Sequence, residues 1–414
     1  MRHAYGWRFV SAADCQPYLR FVVRLARALL SVACLAAVGL PTATVPAQSA
    51  EPFNIDVVLP LTGPAAFLGS AEQAALQRAE TMLTGEQGIA GRPVHFVFHD
   101  DQSSPQLAVQ IATQIVSTKP PVILGSGLVA MCNAMAPLMR RGPVMYCFSP
   151  GIYPAAGSFV FSSSNSTRDL ATAQVRYFRE KGLTKLAIIT STDASGQDAA
   201  RHLKEVLAFP ENKEMLAVAE TTFNPTDVSA AAQVDRLKAA NPQAVIAWST
   251  GAAIGTVFKA IQDSGLDVPV ATTDGNMTYS FMQRYAEILP KQLYIASPDW
   301  LPGHRDHIGA EAEKAKQQFF DAFGASGKPD AASTYSWEPA MLVVSALRKL
   351  GPDATAEQVR AFLANLTGLA GVNGVHDFVK FPQRGLDDGS VVITLWNKGK
   401  GTWEVVSSPR GSPL

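Results

Sequence analysis

Apolar residues recur along the chain in two alternating rhythms. Over 54–59, Ile55, Val57 and Leu59 alternate with polar neighbours, which predicts a β-strand. Gly63-Pro64 then breaks it, and Ser70 is placed to cap a helix rich in Ala and Gln. The same order repeats: strands are predicted at 93–101, 122–125, 143–147 and 159–161, with helices at 104–117 and 131–140. Val122-Ile123-Leu124 is apolar throughout, the pattern of a strand buried on both faces. A βαβ succession of this kind implies a parallel sheet with helices on both sides.

The rhythm continues with helices at 169–181, 197–208 and 228–240 and strands at 186–190, 217–223, 244–248, 268–273 and 293–296. Element order, without any exact repeat of sequence, predicts two similar α/β lobes. Helices at 310–323 and 340–349 follow, and a terminal hairpin pairs 391–396 with 399–406, with Lys398 and Lys400 as solvated charges at its turn.

Residues 1–50 change the picture of where this fold works. They hold five arginines and one acid, then the apolar run 28–40, then small residues up to Ala47-Gln48-Ser49-Ala50, which is the order of an export signal cleaved within 47–50. The run is shorter than the roughly 20 apolar residues of a permanent span. A lipid-modified Cys34 is the weaker alternative, because Ser31 stands where Leu is usual. Without this leader, the 35 basic and 35 acidic residues of the chain become 30 and 34. With no basic tract, no nucleic-acid partner is expected. About 360 remaining residues suffice for two domains of ordinary size.

Of four cysteines, Cys132 and Cys147 lie outside the leader. An even pair in an oxidising compartment favours a disulfide, worth about 3 kcal/mol for so short a loop; two separate buried thiols are the alternative.

Candidate chemistry is sparse. Asp100 and Asp101 adjoin a strand end, but neighbours on a strand face opposite ways, so solvated or helix-capping roles fit them better than a shared acid/base centre. His304-Arg305-Asp306-His307 offers a His-x-x-His spacing without a third ligand of matching type. No Gly-x-Ser-x-Gly elbow, His-Glu-x-x-His helix or phosphate-binding Gly-x-x-x-x-Gly-Lys loop occurs, so neither a catalytic residue nor a metal or cofactor is expected.

Several segments together resemble the periplasmic solute-binding proteins of the branched-chain amino acid (Leu/Ile/Val-binding) type that serve ABC importers. They are Pro60-Leu61-Thr62-Gly63-Pro64 with Gly69, Gly88-Ile89-Ala90-Gly91-Arg92-Pro93, His99-Asp100-Asp101-Gln102-Ser103-Ser104-Pro105, Asp193-Ala194-Ser195-Gly196, Thr226-Asp227-Val228-Ser229, Asn241-Pro242-Gln243-Ala244-Val245 and Gly265-Leu266-Asp267-Val268-Pro269. The resemblance implies two Rossmann-like lobes with parallel sheets, joined by a three-strand hinge. Lobe 1 would hold 51–165 and about 297–335, lobe 2 would hold 166–296 and about 336–380, and 381–414 would form the last hinge strand, hairpin and tail.

The resemblance also implies a site. Phe67 and Leu68 would form one wall. The loop Leu128-Val129-Ala130-Met131 and the turn Ser149-Pro150-Gly151 would hold a carboxylate, and Ser195, Thr250 and Asp274 would close from the second lobe, with Asp274 accepting an ammonium. Leu128 and Gly151 replace hydroxyl residues, and Pro150 removes an N–H donor, so a greasier ligand, an aromatic or branched acid, is also accommodated. Tyr153, Phe148 and Trp300 are read as ordinary core or surface aromatics, with aromatic walls of the site as the alternative. The implied protein is a monomeric periplasmic receptor that binds a small molecule, is not an enzyme, and hands its ligand to a membrane permease. A ligand sensor of the same fold and a secreted α/β hydrolase are the alternatives.

Overall fold

A computed structural model describes residues 51–303, 309–324 and 327–414. The leader with Cys15 and Cys34, and the segment His304-Arg305-Asp306-His307, lie outside the described residues.

The first lobe is built from β1 (Phe53–Leu59), α1 (Ala66–Gly85), β2 (Val94–Asp100), α2 (Pro105–Ser117), β3 (Val122–Gly125), α3 (Val129–Met135), β4 (Val144–Cys147) and β5 (Val160–Ser162). Its five strands lie in the order β2-β1-β3-β4-β5, all parallel, with Val57 opposite Phe98 on one side and Leu124 on the other. Ile55, Val57 and Leu59 join one core cluster, whereas Val58 joins another on the opposite face. Covering both faces is what a parallel sheet requires, since every crossover lays a helix on one of them.

The second lobe comprises α4 (Thr167–Glu180), β6 (Lys185–Ser191), α5 (Ala194–Leu207), β7 (Leu216–Phe223), α6 (Ala231–Ala239), β8 (Ala244–Trp248), α7 (Ile254–Ser264), β9 (Val270–Thr272), α8 (Tyr279–Arg284) and β10 (Leu293–Pro298). After it come α9 (Gly309–Phe323), α10 (Ala331–Leu350), α11 (Ala356–Ala364), a small ribbon of β11 (Thr367–Ala370) and β12 (Val375–Asp377), then β13 (Val391–Asn397) and β14 (Thr402–Val405). The second sheet runs β14-β13-β10-β9-β8-β6-β7, with the expected terminal hairpin added antiparallel to β10.

The allotment of chain to lobes differs from the expectation. Residues 336–380 were expected in lobe 2, yet α10 packs along α1, and α11 packs against β4. The seam explains this: Ser336 Oγ donates to the Glu72 carbonyl (2.9 Å), and Arg348 donates to the carbonyls of Gly88 (2.8 Å) and Leu83 (3.0 Å) at the far end of α1. α10 also starts nine residues before the predicted helix. Asp330 and Ser333 form a reciprocal cap, and Pro339 lies inside the helix.

Three chain passages between the lobes run side by side. Ser162 N–H donates to Gln383 O (2.8 Å), Asn165 Nδ2 donates to Ser390 Oγ (2.8 Å), and Asp299 N–H donates to Ser390 O (2.8 Å). Arg384 is the buried keystone of this hinge. Its guanidinium donates to the carbonyls of Ser163, Ser164, Pro150 and Ile152 at 2.6–3.4 Å, tying a loop of the first lobe to a crossover.

Candidate functional site

The carboxyl ends of β3, β4, β8 and β9 converge between the lobes, the position at which open parallel sheets leave a crevice. The loops they feed close on a narrow cleft. Leu68, Gly127, Leu128, Val129, Ser149, Pro150 and Gly151 line it from the first lobe, facing Thr167, Ser195, Trp248, Thr250, Thr273, Asp274 and Gly275, with Tyr335 of α10 at the side. Among the described residues Asp274 and Tyr335 are the ionisable side chains lining it, and no Lys, Arg or His does.

Of the residues expected from the sequence, Leu68, Leu128, Val129, Ser149, Pro150, Gly151, Ser195, Thr250 and Asp274 are brought together. Three are not. Phe67 turns instead to the seam between lobes, where its ring lies 5.2 Å from that of Phe281. Because α3 begins at Val129, Met131 points into the interior of lobe 1 beside Cys132 and Met135, and Ala130 packs on the same cluster. Phe148 and Trp300 are core residues, as read from the sequence. Tyr153 is 44% exposed at the rim of the seam. Thr167, Trp248, Thr273, Gly275 and Tyr335 escaped the sequence reading. Trp248 and Thr273 end predicted strands and were findable on that ground; Tyr335 was hidden by the misplaced start of its helix.

Asp274 is fully buried. Its Oδ2 accepts the Tyr335 hydroxyl (2.8 Å) and its Oδ1 accepts the Thr273 hydroxyl (3.1 Å). Burial nonetheless outweighs these bonds and pushes its pKa up from 3.8 to about 6. Asn276 locks the loops around it, donating from Nδ2 to Ser249 O (2.8 Å) and accepting Gly251 N–H (3.1 Å). Ser195 and Thr250 share a hydroxyl hydrogen bond of 3.0 Å.

The first-lobe wall is held from behind. A disulfide joins Cys132 to Cys147, with Cα atoms 6.0 Å apart, and fastens α3 to the strand that delivers Ser149. Ser149 Oγ accepts the N–H of Gly151 at 3.4 Å. A Cβ on Gly151 would come within 2.6 Å of Val129 Cγ2 and 3.1 Å of Asp198 Oδ2, so glycine is what lets the second lobe approach here.

Asp100 and Asp101 serve the turns. Partial burial opposes ionisation of Asp100, but the Thr62 hydroxyl and the N–H groups of Gln102, Thr62 and Leu61 outweigh it and lower its pKa. Asp101 is buried, which raises its pKa, and it accepts from Ser126 Oγ (2.7 Å) and Ser103 N–H (2.8 Å).

A family model described as periplasmic binding protein matches residues 52–398. The chain belongs to this family. Among curated relatives, the Leu/Ile/Val-binding protein homolog 3 of Brucella melitensis is 24% identical over 253 residues, which cover 60% of this chain and 66% of that relative. Homolog 1 of Brucella abortus is 21% identical over 316 residues, covering 74% of this chain and 81% of its own. The chain thus spans just under two thirds of the first of these relatives.

Solved structures of similar fold include an extracellular ligand-binding receptor from Rhodopseudomonas palustris (TM-score 0.75, 20% identity, 86% of this chain and 99% of that one). The substrate binding protein LivJ of Streptococcus pneumoniae, in complex with isoleucine, gives 0.72 at 19% identity, covering 86% and 99%. A solute binding protein of R. palustris in complex with benzoate gives 0.71 at 19%, covering 88% and 97%. Type I periplasmic binding proteins therefore share this two-lobed architecture, and at these identities the likeness concerns the fold alone.

Proposed function

We propose that this protein is an extracytoplasmic receptor that closes its two lobes over a small organic carboxylate, an amino acid or an aromatic acid, and presents it to an ABC importer. One observation carries the proposal: the cleft at the strand ends is walled by both lobes, which touch each other around it. Ala252 N–H donates to Pro64 O across the gap (3.2 Å), and Phe67 meets Phe281. A ligand held there contacts both lobes only in the closed form, so binding selects that form.

In this reading the Ser149 hydroxyl and the Gly151 N–H orient the carboxylate. Asp274 accepts an ammonium, backed by Tyr335 and Thr273, while Ser195 and Thr250 present hydroxyls from the second lobe. Leu68, Leu128, Val129 and Trp248 supply the apolar surface. The bound isoleucine and benzoate of the fold relatives are both carboxylates and agree with this class of ligand. The leader of 1–50 supports export, and a monomer suits lobes that must close freely.

A thermal-shift screen of amino acids, aromatic acids and short aliphatic acids tests the proposal. The true ligand at a hundredfold excess over its Kd adds about 2.7 kcal/mol to stability. Stabilisation by no organic acid, together with turnover of simple esters or amides, would overturn it in favour of a hydrolase.

A further inference from the structure

Glu72 is the group the cleft chemistry leaves unused. It lies on α1 one turn beyond Leu68, fully buried, and both oxygens of its carboxyl lack a hydrogen-bond partner. The carboxyl packs on the bare Cα of Gly127. A Cβ there would stand 2.3 Å from Oε1 and 2.8 Å from Oε2, so no side chain separates Glu72 from the loop that lines the cleft. Glu72 itself does not line the cleft: it stands directly behind Gly127, in the second row, where its charge also acts on the cleft-lining Tyr335.

The ionisable groups that act on it are acids or a phenol. Asp101, facing from the end of β2, already accepts Ser126 Oγ and Ser103 N–H. Asp330, at the head of α10, accepts Ser333 N–H (3.1 Å), and the Tyr335 hydroxyl donates its hydrogen bond to Asp274 (2.8 Å). Burial first, then the charges of Asp101 and Asp330, push the Glu72 pKa well up. Among the described residues no group of His, Cys, Asp and Glu has the arrangement of a metal site. A buried carboxyl without a donor is costly to keep, and a ligand donor that reached past the side-chain-free Gly127 would relieve that cost.

Because Ser149, Gly151 and Asp274 hold the head of an α-amino acid in the function proposed above, we propose that Glu72 receives the far end of the same ligand. The preferred ligands are then amino acids whose tail ends in a cation or an N–H donor, in place of a plain hydrocarbon. Glu72 thereby sets specificity, while Asp274 sets affinity for the head.

Norvaline and ornithine, which differ by a terminal ammonium, are the probes for titration calorimetry at pH 7.5 against the full-length exported protein. The wild type is expected to bind ornithine at least tenfold more tightly. Glu72→Gln should erase that ratio while leaving norvaline within twofold. Equal or tighter binding of norvaline by the wild type, or an ornithine preference that survives Glu72→Gln, overturns the role of Glu72 and leaves the amino-acid head site standing. Failure of both probes to bind removes the head site and the tail site together. Should Glu72→Gln not fold, the wild-type ratio decides alone. In the ligand-free protein, infrared spectroscopy should also show the carbonyl stretch of a neutral carboxylic acid that Glu72→Gln abolishes; an unchanged band overturns the assignment of Glu72 as an unpartnered, protonated acid.

Discussion

Replacing Asp274 by Asn should weaken ligand binding and stabilise the empty protein at the same time. A carboxyl whose pKa rises from 3.8 to about 6 on folding is ionised at neutral pH at a cost of about 3 kcal/mol. The unfolded chain releases this proton first. The cost is therefore absent below pH 3.8, grows as the pH rises, and is complete above about 6, so ligand-free stability falls through that window on account of this group. Asn keeps an acceptor for the Tyr335 hydroxyl and has no charge to bury, which removes the cost. An ammonium-bearing ligand needs the ionised form. Its affinity for the wild type should be level above pH 6 and fall about tenfold for each pH unit below. Asp274→Asn should flatten that profile and weaken binding at pH 7.5 by at least about tenfold, the cost of losing a charge-assisted bond. Asp330, also pushed up to about 6 by burial, titrates in both proteins, so the difference between them isolates Asp274. Calorimetric titration from pH 4.5 to 8 and urea denaturation of the ligand-free proteins check both halves. A pH-independent wild-type affinity, with Asn binding equally well, would refute the ammonium role.

Three further outcomes are expected. Arg384→Met should cost about 3–5 kcal/mol in urea denaturation, because four backbone carbonyls at the hinge lose a buried donor; Lys at this position should rescue little, lacking the planar fork. Cys132→Ser with Cys147→Ser should cost about 3 kcal/mol, with no additional loss on adding reductant, since the disulfide closes a separation of 15 residues. Tyr153 packs its ring 4.9 Å from His202 and under Arg201 (5.2 Å) across the seam but does not line the cleft. Tyr153→Ala should therefore lower ligand affinity about three- to tenfold by weakening the closed form. Small-angle scattering should report a larger radius of gyration for the ligand-free variant, and unaltered affinity would remove Tyr153 from the closure contact.

The fold was legible because buried parallel strands are short apolar runs, and those runs are hard to place elsewhere. Val122-Ile123-Leu124 and Ala244-Val245-Ile246-Ala247-Trp248 could hardly be anything but central strands, and they are. Lobe membership was not legible in the same way. Crossovers return the chain to a lobe through contacts that no local pattern encodes, and α10 is fixed to α1 by Ser336 and Arg348, two residues unremarkable in sequence. Within the cleft, motif position located the loops but not the phase of the helices leaving them. Phe67 and Leu68 are adjacent, yet about 100° of helical rotation sends one to the seam and the other to the cleft. The same phase error carried Ala130 and Met131 into the candidate list.

Gly151 shows what sequence comparison by residue type leaves out. Read as a position where hydroxyl residues are usual, it looks like a lost ligand contact, and with Leu128 and Pro150 it suggests a weakened carboxylate site. In three dimensions a Cβ at Gly151 would collide with Val129 and crowd Asp198, a residue of the opposing lobe, so the glycine is a condition of closure. Gly127 follows the same logic one strand over, where a Cβ would displace the Glu72 carboxyl from the loop. Both glycines leave room that a side chain would fill. At Gly151 the room admits the second lobe, and at Gly127 it admits an acid.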